Sequence, residues 1–272
     1  MRIDAHVHAF PDRLAIAVRS ALSGMGGLTR SPLLDDVART VLDDGFDAAW
    51  ILPYAHKAGV AAGLNSWSAA EVTRYPWLMA GATFHPDDED IAQLVHAALV
   101  ESGLRVVKLH CSVGRFSPAD PRLAPLWHTA SERGVPVVVH AGQAGPGGAE
   151  PGEIDQLEPV LRTYPDLRIV LAHAGHPNAN RALQIMEQHA NLYADLTPVA
   201  NSPVELTAAD FARVPGRILF GSDAPNNPVA ANQQAERWRA LLPDDPAFDS
   251  IIGGAAARLV PVATSSRQCI DS

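Results

Sequence analysis

Cysteine is nearly absent: Cys111 and Cys269 are the only two in 272 residues. They are too few and too far apart for a disulfide framework, which suits a reducing compartment. Long apolar runs are missing too. No stretch approaches the roughly 18 residues of a membrane span, and the chain enters a strand-like segment directly, without the charged and apolar regions of an export signal. The expectation is a cytoplasmic protein with no membrane partner. Basic clusters are also lacking. With a formal net charge of -9 and no run of Lys or Arg, a polyanionic partner such as nucleic acid is disfavoured. No GxGxxG occurs, which speaks against a dinucleotide-binding sheet.

What remains is an apolar chain punctuated by histidine. A hydrophobic content of 47% over 272 residues supports one large core, and about 250 residues is the usual size of a single α/β barrel. Short Val-, Ile- and Leu-rich runs fall at 2–8, 47–53, 78–85, 105–110, 135–140, 168–173, 191–197 and 216–223. Amphipathic stretches lie between them, for example at 32–45, 90–103, 122–134 and 179–190, three of which stop at Gly. Eight βα units in this length predict a closed (β/α)8 TIM barrel as a single domain over 1–261, with 262–272 a flexible tail.

The first strand carries DAHVH (4–8). Side chains at i and i+2 share a face, so regular alternation predicts Asp4, His6 and His8 on the inner face and Ile3, Ala5 and Val7 on the other. Inward polar groups are costly unless something binds them, and imidazole is the commonest metal ligand. The predicted strand ends strengthen this. They carry His8, Tyr54, His85, His110, His140, His173, Thr197 and Asp223, five of the eight being histidines where the whole chain has 11. In a barrel of this type that rim holds the chemistry.

HxH on the first strand, VVVHAG at 137–142, LAHAGH at 171–176 and FGSDAP at 220–225 together resemble the amidohydrolase superfamily. The nearest likeness is to the amidohydrolase-related family that contains aminocarboxymuconate semialdehyde decarboxylase. It runs from residue 1 to about 260; IIGGAAARLV departs from the family in having Ala255 where Asn is common. The resemblance implies metal ligands at His6, His8, His140 and Asp223, a catalytic histidine at His173, and a homodimer. Three imidazoles and a carboxylate suit one divalent ion, Zn²⁺ first and Mn²⁺ or Fe²⁺ as alternatives, with a position open to water or substrate.

Other residues are candidates for the pocket. Lys108 and His110 share a face in VVKLH; Lys108 is expected to pair with Asp4 or another carboxylate, or, carboxylated as in some superfamily members, to bridge a second metal. His110 is expected to touch substrate. His85, Tyr54 and Asp195 are further substrate-side candidates, as is His56. His96, His128 and His189 lie in helical stretches and read as solvated or helix-packing, and His176 lies three residues past a strand end. Arg30 and Arg115 either bind a substrate carboxylate or are solvated. The Gly-rich stretches 24–32 and 142–152 read as lids or simple connections.

The expected function is a metal-dependent hydrolase acting on a small amide, lactone or ester, with Asp223 as ligand and base and His173 as proton carrier. The alternative is a non-oxidative decarboxylase of a small carboxylic acid that uses the same ligands. A noncatalytic metal-binding barrel ranks third, because it has no use for an acid–base pair.

Overall fold

The computed structural model describes residues 1–22, 30–141, 153–199, 204–243 and 245–262. Most of the first Gly-rich stretch, all of the second, and the C-terminal segment from 263 lie outside the described residues. No helix among those described is long and apolar enough to cross a membrane.

Eight strands form one parallel sheet in chain order: β1 (Ile3–Val7), β2 (Ala48–Ile51), β3 (Leu78–Thr83), β4 (Val106–His110), β5 (Val137–His140), β6 (Ile169–Leu171), β7 (Leu192–Asp195) and β8 (Ile218–Leu219). Each lies inside a segment expected from sequence. Helices fill the intervals, so the architecture is the predicted TIM barrel. The last strand closes on the first through Ala5 N to Phe220 O (3.0 Å), Asp223 N to His6 O (3.0 Å) and His8 N to Ala224 O (2.7 Å).

The helices form for the reasons the pattern suggests. Leu34–Asp43 buries Leu34, Val37, Ala38 and Val41, an i, i+3, i+4, i+7 stripe that packs on the sheet. Ala124–Arg133 ends at Gly134, whose φ of 64° is the left-handed terminus glycine tolerates best. Ala208–Arg213 opens with a capping box between Thr207 and Asp210.

Two apolar layers result. Val107 and Leu109 belong to the large layer between strands and helices, with Leu126, Leu161 and Ile185. Val106, on the opposite face of β4, joins Trp50, Val138, Val170, Leu219 and, from the final helix Ala255–Leu259, Ala255 and Ala256. That second layer fills the barrel interior below the histidines. It also corrects the expected parity of β1. Ile3 and Ala5 lie in the interior layer and Val7 in the outer one. The reason is a bulge: Ile3 pairs with Ala48 but Val7 with Ile51, so β1 carries one residue more than β2 across that interval. The extra residue lets β1 present apolar side chains at the bottom of the barrel and imidazoles at the top.

Candidate metal centre

Hydrogen bonds determine which nitrogen each histidine offers to the barrel mouth. His8 Nδ1 lies 2.7 Å from Leu52 O, a group that only accepts, so Nδ1 carries the proton and Nε2 the lone pair. That Nε2 faces Asp223 Oδ1 at 3.1 Å. His6 Nδ1 donates to Asp195 Oδ2 (2.9 Å), which leaves the His6 Nε2 lone pair to accept from Lys108 Nζ (3.1 Å). Ligand atoms of His6, His8 and Asp223 lie within 4.8 Å of one another. A lone pair turned on a carboxylate calls for a cation between them, and partners that fix the remote nitrogen are the usual support of metal-binding imidazoles. The donor set therefore fits a divalent ion.

Burial and the neighbouring Lys108 push His6 down to about 3, so the ring is neutral at pH 7. Burial also lowers Lys108, to about 8. Asp223 is held at about 2: desolvation raises it, but the His8 contact and the nearby imidazoles outweigh that. Asp195, against the same desolvation, is held well below the carboxylate range by His6.

Asp195 does more than orient His6. Its Oδ1 accepts from the main-chain N–H of His173 (2.9 Å) and Thr197 (3.1 Å), tying the end of β6 to the end of β7. His173 and Asp223 sit at φ 56° and 61°, a region side chains other than glycine seldom adopt. Gly221 lets β8 pass close by, because a Cβ there would come within 2.7 Å of His6 Cβ and closer still to Thr197 Oγ1.

The remaining imidazoles form a connected wall. His173 Nδ1 donates to Thr197 O (3.1 Å), so Nε2 accepts, and His140 Nδ1, 3.0 Å away, is its donor. The lone pair of His140 is thereby on Nε2. His110 stacks on His140 with centroids 4.0 Å apart, and its Nδ1 accepts from Val113 N (3.4 Å), so Nε2 carries an N–H. Burial lowers both His110 and His173 below the ordinary imidazole value. Tyr54 closes one side, with centroids 5.4 Å from His8 and 5.1 Å from His110; burial raises its hydroxyl to about 12.

The structure brings His6, His8 and Asp223 together and sets His140 beside them through His173. It keeps Lys108 at the site and places four other candidates, His85, Arg30, Arg115 and His56, away from it. Lys108 hydrogen-bonds His6; of the carboxylates sequence offered it, Asp195 and Asp223 act on it electrostatically and Asp4 does not. Both nitrogens of His85 are spent on main chain, Nε2 donating to Gly114 O (3.0 Å) and Nδ1 accepting from Asp87 N (3.2 Å), so it shapes the loops after β3 and β4 and offers substrate nothing polar. Arg30 is bound by Asp44 at 2.7 Å. Arg115 and His56 are exposed. Sequence reasoning missed Leu52 O and Thr197 O, since a carbonyl partner leaves no trace in residue type.

The sequence profile described as amidohydrolase matches residues 3–262. The chain belongs to the amidohydrolase family. It is thus an enzyme of the amidohydrolase superfamily. This amidohydrolase is 33% identical to 6-methylsalicylic acid decarboxylase of Penicillium expansum over a stretch covering 25% of this chain and 26% of that protein, so the match spans about a quarter of the relative's length. Among solved structures it is similar to 5-carboxyvanillate decarboxylase of Sphingomonas paucimobilis, with a TM-score of 0.70, 15% identity and coverage of 96% of this chain and 99% of that one. It is also similar to dihydroxybenzoic acid decarboxylase of Polaromonas sp. JS666, solved with manganese and 2-nitroresorcinol, with a TM-score of 0.68, 16% identity and coverage of 95% and 96%. At these identities the structural likenesses establish the fold.

Proposed function

We propose that this amidohydrolase is a metal-dependent, non-oxidative decarboxylase of a small hydroxylated aromatic carboxylic acid. The observation that carries the proposal is the 33% identity to a decarboxylase of such an acid, supported by the decarboxylases among its structural neighbours. These relatives favour the second of the two readings drawn from sequence over hydrolysis. His6, His8 and Asp223 would hold the ion, with His140, whose lone pair is on Nε2, as the fourth ligand. Bound there, a divalent ion supplies positive charge to orient an anionic substrate; Zn²⁺ and Mn²⁺ both suit the donors.

The chain's own groups fit an anionic substrate. Lys108 is a buried cation, His110 offers Nε2–H, and Arg115 is exposed in the loop after β4. Tyr54 and the His110–His140 stack provide flat surfaces against which an aromatic ring packs. In the reaction a proton adds at the carbon that bears the carboxylate, the bond to the carboxyl carbon breaks, its electron pair returns to the ring, and CO₂ leaves. His173, which touches His140 and stands beside His6, is the group assigned to carry that proton.

The test is turnover of a panel of hydroxybenzoic acids, and of small esters, amides and lactones, in D₂O and, separately, in ¹⁸O-labelled water. Release of CO₂ with deuterium on the ring carbon and no ¹⁸O in the organic product is the expected result. Label from water in a product carboxyl or hydroxyl group, with no CO₂, makes the enzyme a hydrolase of the same metal site.

A further inference from the structure

At the bulge in β1 two main-chain N–H groups donate to a side chain. Below it, Ala5 N donates to Phe220 O; above it, Asp223 N donates to His6 O and His8 N to Ala224 O. Between these bonds lie the N–H groups of His6 and Ser222. A buried N–H without an acceptor is costly and rare. Both go to a single atom, Asp4 Oδ1, at 3.2 Å from His6 N and 3.0 Å from Ser222 N. Asp4 is buried and lies two residues before the first imidazole.

We propose that Asp4 is a positioning residue for the metal centre: its side-chain oxygen accepts both N–H groups at the bulge, pins β1 to β8, and so aims His6 and His8 into the mouth. This rests on the reading of those histidines as metal ligands. The role asks for an acceptor and not for a charge. Asn offers the same oxygen in the same place. The Ser222 hydroxyl, which also hydrogen-bonds the Asp4 carboxyl, can accept from an Asn amide. Ala offers nothing. The function lies in the geometry of two strands that meet at the barrel seam, where β8 supplies Asp223 and β1 supplies the two imidazoles.

The experiment compares the wild-type chain, Asp4→Asn and Asp4→Ala. Zn²⁺ alone is titrated into each metal-free protein, and hydrogen exchange is followed at the amides of His6 and Ser222. Asp4→Ala is expected to bind Zn²⁺ about 10- to 100-fold more weakly, as when other groups that orient metal ligands are removed, and Asp4→Asn to stay within about threefold of wild type. Exchange at both amides is expected to quicken in the Ala variant and to stay slow in the Asn variant. Unchanged Zn²⁺ affinity in a folded Asp4→Ala overturns the proposal, and so does an Asn variant as weak as the Ala one, which would make charge the requirement. If Asp4→Ala does not fold, Asp4→Asn decides alone: near-wild-type affinity supports the acceptor role and a loss of about tenfold or more overturns it. A wild-type chain that takes up neither Zn²⁺ nor Mn²⁺ refutes the metal reading. The two exchange rates then still report whether the Asp4 oxygen holds the bulge.

Discussion

Replacing Asp195 by Asn changes one atom, and that atom decides which nitrogen of His6 holds the proton. Oδ1 of Asp195 accepts two main-chain N–H groups, of His173 and Thr197, while Oδ2 faces His6 Nδ1 at 2.9 Å. An Asn that keeps its oxygen on the two N–H groups must turn its NH₂ toward His6. The opposite orientation would abandon two buried donors at about 1–3 kcal/mol each, so the first prevails. His6 Nδ1 then has to accept, its proton moves to Nε2, and Nε2–H opposes Lys108 Nζ 3.1 Å away. The nitrogen meant for the ion no longer has a lone pair. Groups that orient metal ligands are worth about 10- to 100-fold in affinity, or about 1.4–2.8 kcal/mol, and loss of the tautomer belongs at the upper end. Competition for Zn²⁺ against a chromogenic chelator measures this, with circular dichroism to show that the barrel persists. A folded Asp195→Asn with Zn²⁺ affinity within about threefold of wild type would refute the assignment of His6 as a ligand oriented by Asp195.

His173→Asn should retain the ion and lose about 10²- to 10⁴-fold in turnover, the usual worth of a proton carrier; a loss below about tenfold in steady-state kinetics would remove it from that role. His140→Ala should lose most of the bound metal while keeping the fold, and full occupancy by elemental analysis would show that His140 supports His173 instead of the ion. Metal-free protein should be less stable at pH 5 than at pH 7. Burial keeps the folded-state pKa of His6, His110 and His173 below the ordinary 6.5, so below that value the unfolded chain takes up protons the native state refuses. Each histidine's contribution is full above about 6.5 and is lost as pH falls below it, by up to about 1.4 kcal/mol per pH unit, the loss from His6 continuing toward about 3. Asp4, raised by burial to about 7, opposes this between about 4 and 7. Urea unfolding at the two pH values checks the net direction, and equal or greater stability at pH 5 would contradict it.

The barrel was legible in sequence because its signals are local: apolar runs of strand length, helical stripes such as Leu34 to Val41, and the regular interval between them. The convergence of His6, His8 and Asp223 was legible because strand ends in a barrel meet at one rim. The parity of β1 was not, since a bulge is a property of the pairing between Asp4 and Val7 and their neighbours on β2, and alternation assumes no such extra residue. The role of Asp195 was reachable only as a strand-end carboxylate near the rim; that it holds one imidazole and two amides depends on where β6 and β7 end in space. His85 looked like another rim histidine, and only the loop carbonyl of Gly114 and the amide of Asp87 show that its nitrogens are committed.

The left-handed backbone at His173, Ala174 and Asp223 bears on how this protein can be improved in the laboratory. Each such residue costs about 1–3 kcal/mol relative to a relaxed conformation, and glycine would relieve most of that at any of the three. At positions 173 and 223 that relief is set against the loss of buried contacts, those of His173 with Thr197 O and His140 Nδ1 and those of Asp223 with His8 and Asn226, so strain there is not open to improvement without losing the site. Ala174→Gly separates the two effects, because it removes strain beside the site without removing a functional group. Ala174→Gly should raise thermostability and leave turnover unchanged, whereas a substitution at its neighbour His173 should cost turnover.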